Sequence, residues 1–234
     1  MPVNPSALNM AASQAVMPVP VGTTHWKKSP HRRHRAGHPS PVGGCDAVAE
    51  ADMYRADSLH GRLLAHARGL PNDDLLAALL SAWVGGRGVL PAYLGLSGSD
   101  YRQMLGRHFP GLTLNPPALE PMEVQRLDER RDLQHLLLSH RRGRDPSEVW
   151  LATIVAAACM GPDHLWQDLG LCNRDHLTRL MRDNFPGLVA LNAQDMKWKK
   201  FLYRQLCLAE DILICRSPSC EVCQDYAVCF GPEV

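Results

Sequence analysis

"DPSEVWLATIVAAACMG", residues 145–161, spells a helix together with both of its ends. Asp145 suits the N-cap, Pro146 the first helical position and Glu148 the third, the spacing of a capping box. Gly161 then closes the helix. An earlier stretch, "DLLAALLSAWVGG" at 74–86, has the same grammar, with an acidic first turn and glycines at the end.

The two helices belong to a longer internal match. "LLAHARGLPNDDLLAALLSAWVGGRGVLPAYLGLSGSDYRQMLGRHFPGLTLN", Leu63 to Asn115, aligns with "LLLSHRRGRDPSEVWLATIVAAACMGPDHLWQDLGLCNRDHLTRLMRDNFPGLVALN", Leu136 to Asn192. Pro71 pairs with Pro146, Gly86 with Gly161, "LGL" at 94 with "LGL" at 169, and "FPGL" at 109 with "FPGL" at 185, at offsets within 74 to 77 residues. Each copy reads as a helical hairpin, a short capped helix and a break at Phe-Pro-Gly. Ser97 and Asp100 have the Ser-x-x-Asp cap spacing. A helix over roughly 121–139 leads into the second copy, and "AQDMKWKKFLYRQLCLAEDILI" forms its counterpart after Asn192. No stretch shows sustained period-two alternation, so strands are not expected. The expected fold is all-α: an internally duplicated helical scaffold followed by an irregular, cysteine-rich C-terminal metal loop.

The division that follows is a basic tail at 1–45, a duplicated helical domain at 46–211, and the cysteine-rich loop at 212–234. Residues 1–45 contain no Asp or Glu but carry Lys27, Lys28, Arg32, Arg33 and Arg35. The tail is thus +5, and since the whole chain is +1 the remainder is −4. Rich in proline and poor in large apolar side chains, the tail is expected to be disordered. Its "HRRHR", with His25, His31, His34 and His38, has a solvated basic run as its default reading, with attraction of an oxyanion or of nucleic acid as the alternative. A net charge of +1 gives no global case for nucleic acid. No apolar run approaches the ~20 residues of a membrane span, and the N-terminus lacks the pattern of a secretory signal. The expected location is the cytoplasm, where thiols stay reduced and a tight cysteine cluster points to metal rather than disulfides.

That cluster is "CRSPSCEVCQDYAVC", with Cys215, Cys220, Cys223 and Cys229 spaced C-x4-C-x2-C-x5-C. Tetrahedral zinc accepts four thiolates but usually takes two close pairs set well apart, and here the largest gap is five residues. Soft thiolates suit an iron–sulfur cluster, and C-x4-C-x2-C opens the plant-type ferredoxin spacing, although the fourth cysteine is too close for that family. Spacing by itself gives a metal site with iron–sulfur of the cubane type as the better fit, zinc remaining open.

With these cysteines preceded by "HLWQDLGL", "NFPGL" and "MKWKKFLYRQLC", the chain after residue 50 resembles the nitrogen-fixation NifQ family. The resemblance implies an iron–sulfur protein that also carries molybdenum in a mixed metal–sulfur cluster, as a 4Fe–4S or Mo–3Fe–4S form. It implies that Cys215, Cys220, Cys223 and Cys229 are the cluster ligands. It further implies supply of molybdenum for the iron–molybdenum cofactor of nitrogenase, with the NifEN scaffold and NifH as recipients. The expected role is a metallochaperone fed by molybdate or another molybdenum source, and not an enzyme. The alternatives are a helical zinc-binding interaction module and an iron–sulfur electron-transfer protein.

Two further residues are candidate auxiliary ligands. Cys207 lies eight residues before Cys215, though a free cysteine is commonly a small core hydrophobe. His164 stands where the first copy has Val89, so the scaffold does not require a histidine there. It could ligate molybdenum or bind molybdate, or simply sit at a helix start. Asp168 is expected to cap or pair, Cys159 and Cys172 to fill the core or a helix end, and Cys45 to be incidental. In "WKKFLYRQL" the aromatics are expected in the core and the lysines in solvent, docking of an acidic partner being the alternative. There is no phosphate-binding G-x-x-x-x-G-K-[ST], no G-x-G-x-x-G after a strand and no H-E-x-x-H.

Overall fold

Each copy is built from a pair of helices, a single short turn and a further helix. The computed structural model describes residues 55, 57–115 and 126–209, and among them there are nine helices and no strand. The first copy contains α1 (Leu59–Ala65), α2 (Asp73–Val84), a tight turn at Ala92–Gly95 and α3 (Gly98–His108). The second repeats the order as α4 (Leu127–Ser139), α5 (Ser147–Ala158), the single turn α6 (Leu165–Asp168) and α7 (Arg174–Asn184). Two more helices follow, α8 (Pro186–Leu191) and α9 (Trp198–Ala209). The all-α duplicated scaffold is therefore present. The tail and the cysteine loop lie outside the described residues.

The helix quoted first is the centre of the described core. Leu151, Ala152, Ile154, Val155, Ala156 and Ala158 of α5 are fully buried, and α3, α4, α6 and the 92–95 turn pack around it. Its start follows the predicted chemistry. The Asp145 carboxylate accepts from the Ser147 N–H at 2.9 Å, and Glu148 accepts from the N–H groups of Gly143, Arg144 and Asp145 at 2.5 to 3.1 Å. In the first copy, Asp73 stands where Glu148 does and likewise accepts from the Leu70 N–H, at 2.7 Å. Ser97 also caps α3 as expected, accepting from the Asp100 N–H at 3.1 Å.

The copies clasp each other reciprocally. Asn72 of the first donates to Ser147 Oγ and Asn184 Oδ1 of the second, each at 2.8 Å. Gly95 of the first lies against Ala157, while its equivalent, Gly170, lies against Ala82, the equivalent of Ala157. Both glycines have left-handed backbone, at φ +83 and +72. A Cβ on Gly95 would stand 2.7 Å from the Ala157 Cβ, and one on Gly170 would stand 2.8 Å from the Arg87 carbonyl oxygen. Gly95→Ala and Gly170→Ala are each expected to cost roughly 2–4 kcal/mol, combining the left-handed penalty with overpacking. Denaturant melts check this, and the pseudo-symmetry requires the two losses to be similar.

Two expectations need correction. The helix after Asn192 does not start at 193. Asn192 donates to the Met196 carbonyl and accepts from its N–H, both at 2.9 Å, and Asp195 takes φ 49. This closed turn competes with helix and delays α9 to Trp198. The second Phe-Pro-Gly also does more than break the chain. Pro186 opens α8 at a position where its missing N–H is harmless, and Gly187 packs on the His140 ring. In the first copy, Gly111 instead turns left-handed at φ +83, and no helix follows directly. Among the described residues, no helix is long and apolar enough to cross a membrane.

Candidate metal centre

Cys215, Cys220, Cys223 and Cys229 lie outside the described residues, as does Cys45. The last described helix before them in the chain is α9. Its buried stripe is Lys199, Phe201, Leu202, Tyr203 and Cys207. Four thiolates at this spacing fit a thiophilic metal–sulfur group by their donor chemistry.

The seating of α9 follows from a problem at the end of α5. The last carbonyls of a helix lack intrahelical partners and carry its negative dipole end. Here the carbonyls of Cys159, Met160 and Gly161 follow directly on α5, and three side chains meet them. Tyr203 donates its hydroxyl to the Cys159 oxygen at 3.2 Å, Arg126 donates to Met160 at 3.0 Å, and Lys199 to Gly161 at 3.0 Å. Arg126 also grips Glu129 through two bonds of 2.9 and 2.7 Å and donates to Tyr203 Oη at 2.8 Å. Lys199 and Tyr203, one turn apart on α9, thus lock that helix to the central one.

Lys199 also pairs with the Asp168 carboxylate and donates to the Asp163 carbonyl. The pair is deeply buried, with Lys199 5 % and Asp168 1 % exposed. Burial pushes the Asp168 carboxyl above the usual carboxylate range, and the Lys199 ammonium pulls against that shift. Asp168 therefore pairs, one of the two roles expected of it. For Lys199 the expectation of a solvated lysine is overturned. It shares the helical stripe of Leu202, Tyr203 and Leu206, and that position was the available signal. The aromatics behave as expected, Phe201 and Tyr203 being buried.

The auxiliary candidates separate. Cys207 is buried on α9, as a small core hydrophobe would be. Cys159 is fully buried, and burial pushes its thiol up to about 12, so it is inert as a nucleophile. Cys172 is also buried and accepts a 3.7 Å contact from the Arg87 guanidinium. His164 is exposed at the start of α6, and its backbone N–H donates to Gln167 Oε1 at 3.2 Å. Partial desolvation of its ring, together with the cations Lys197, Arg174 and Lys199, holds its pKa below the ordinary value. Among the described residues, no group of three or more His, Cys, Asp or Glu side chains could hold a metal ion.

The family model for NifQ matches residues 75–231, from α2 through all four clustered cysteines. The chain belongs to the NifQ family. It is 46% identical over 199 residues to the protein NifQ of Azotobacter vinelandii, covering 80% of this chain and 100% of the relative. It is 40% identical over 159 residues to the protein NifQ of Rhodobacter capsulatus, covering 68% and 87%. Against the protein NifQ of Klebsiella pneumoniae it is 36% identical over 176 residues, covering 69% and 99%. No solved structure matches the chain. NifQ membership places the protein in nitrogen fixation, and the matched region takes in the scaffold and the cysteine cluster while leaving out the basic tail.

Proposed function

We propose that this NifQ-family chain is a molybdenum carrier of the cytoplasm, not an enzyme, which supplies molybdenum for the iron–molybdenum cofactor of nitrogenase. The observation that carries the reading is the family match itself, which extends across Cys215, Cys220, Cys223 and Cys229. These four thiolates would hold an iron–sulfur cluster, the sulfides of which offer a thiophilic metal soft ligands. Molybdenum is then cargo, and NifEN and NifH are its recipients. The chain's own part is to present the loop. Lys199, Tyr203 and Arg126 fix α9, so the cysteine segment leaves from a rigid base, and rigid support favours defined ligand geometry.

Donation is the property to test. Molybdenum-loaded protein should support cofactor synthesis in a purified assembly mixture lacking free molybdate, and should lose molybdenum as it does so. The decisive arm adds a molybdate-trapping resin. Activity that survives trapping indicates direct transfer, whereas a fall to the level of free molybdate alone would remove the carrier reading. Oxygen should abolish donation by attacking the thiolates.

A further inference from the structure

Cys172 lies between α6 and α7, buried, with the Arg87 guanidinium of the first copy 3.7 Å from its sulfur. That sulfur is held in a disulfide. Cys159 and Cys207 are not its partner, which leaves Cys45, Cys215, Cys220, Cys223 and Cys229. We propose that Cys172 is a redox thiol that pairs reversibly with one of the clustered cysteines, and that this disulfide and the metal site exclude each other.

The scaffold does not require a cysteine at this place. Counted from the shared Leu-Gly-Leu, the first copy has Ser97 there. A guanidinium beside a sulfur favours the thiolate, the attacking form in thiol–disulfide exchange. Cys159 is the contrast, a buried thiol pushed up to about 12 and not in a disulfide. Helix α9 brings the clustered cysteines within reach. Lys199, in its first turn, bonds to Asp163 and Asp168, shortly ahead of Cys172. From Ala209 to Cys215 is six residues, up to ~20 Å of extended chain, enough to return along the ~18 Å of α9. Where thiols are kept reduced, a disulfide is usually transient and redox-sensing.

The exchange balances with a small-molecule disulfide as oxidant. A clustered thiolate attacks it, forming a mixed disulfide and releasing one small thiol. Cys172 then attacks the clustered sulfur of that mixed disulfide, and the second small thiol leaves. Two electrons and two protons have passed from the protein to the released thiols. One metal-binding thiolate is thereby withdrawn, whereas a metal–sulfur group that occupies all four leaves Cys172 nothing to pair with. The exclusion rests on the four cysteines being metal ligands; the disulfide rests on Cys172 itself.

The test equilibrates full-length apoprotein anaerobically with mixtures of reduced and oxidised glutathione, blocks the remaining thiols after denaturation, and maps peptides without reduction. A peptide joining Cys172 to residues 215–229 should appear as the oxidised fraction rises and vanish with dithiothreitol. In Cys172→Ser the glutathione adduct should instead persist on a clustered cysteine, with circular dichroism unchanged. The oxidised parent should lose its uptake of iron and sulfide until dithiothreitol restores it, and protein loaded beforehand should not yield the joined peptide. Cys172 recovered as a thiol in every mixture, or joined to Cys45, overturns the proposal. So does full metal uptake by the oxidised parent. Uptake of zinc alone, blocked by oxidation in the same way, upholds the exclusion and removes the iron–sulfur reading. The donation assay tests the carrier reading separately.

Discussion

Alanine at any one of Cys215, Cys220, Cys223 or Cys229 is expected to strip iron and molybdenum from the protein and abolish donation, while the far-ultraviolet circular dichroism of the helices persists. The reason lies in the order of construction. The described hydrophobic core runs from Leu63 to Tyr203, and both copies and their mutual clasp are complete before the first clustered cysteine. Losing one thiolate removes a quarter of the proposed ligand set. Iron and molybdenum content, measured anaerobically beside the dichroism spectrum, give the answer. Helix lost in step with iron would instead mark a site on which folding depends, as in small zinc domains. Zinc in place of iron and sulfide would favour the binding-module alternative.

Lys199→Met is expected to destabilise the fold by about 3–5 kcal/mol, because it strands a buried carboxylate. For a domain of this size that corresponds to a melting point lowered by roughly 6–20 °C. The methionine keeps the length of the side chain but loses the bonds to Asp168, Asp163 and Gly161. Adding Asp168→Leu should recover part of the loss, since an apolar pair avoids the unpaired charge. The two substitutions should therefore be markedly non-additive. A loss below about 1 kcal/mol for Lys199→Met, the range of a surface pair, would show that the ammonium is not buried as described. Because Lys199 seats α9, metal loading should fall with it even at temperatures where the variant remains folded.

Much of the architecture was legible in sequence because it is written locally. Asp145, Pro146 and Glu148 state where a helix begins, and Ser97 with Asp100 states another. The recurrence of Leu-Gly-Leu and Phe-Pro-Gly-Leu reveals the duplication without any knowledge of packing. Backbone competition blurred the boundaries instead, as at Asn192, where a side chain closed on Met196 and delayed α9. Nothing in sequence separation announces that Lys199 meets Asp168 across 31 residues, or that Tyr203 meets the Cys159 carbonyl across 44. Lysine is normally solvated, and only the shape of the surrounding core can bury one and supply its partners.

The chemistry divides along the same line. Four cysteines within fifteen residues stand out by their spacing, so Cys215, Cys220, Cys223 and Cys229 could be singled out from sequence as the candidate metal ligands. The contact between Cys172 and Arg87 joins residues 85 apart in the chain, and no motif spells it. By itself, then, the sequence determined an all-α duplicated chain and singled out a cluster of four cysteines after it, because caps, repeats and residue spacing act over a few bonds. Only the tertiary structure decided that α9 is clamped to the end of α5 and which cations gather around His164, because hydrogen bonding and desolvation depend on neighbours that the chain brings together only by folding.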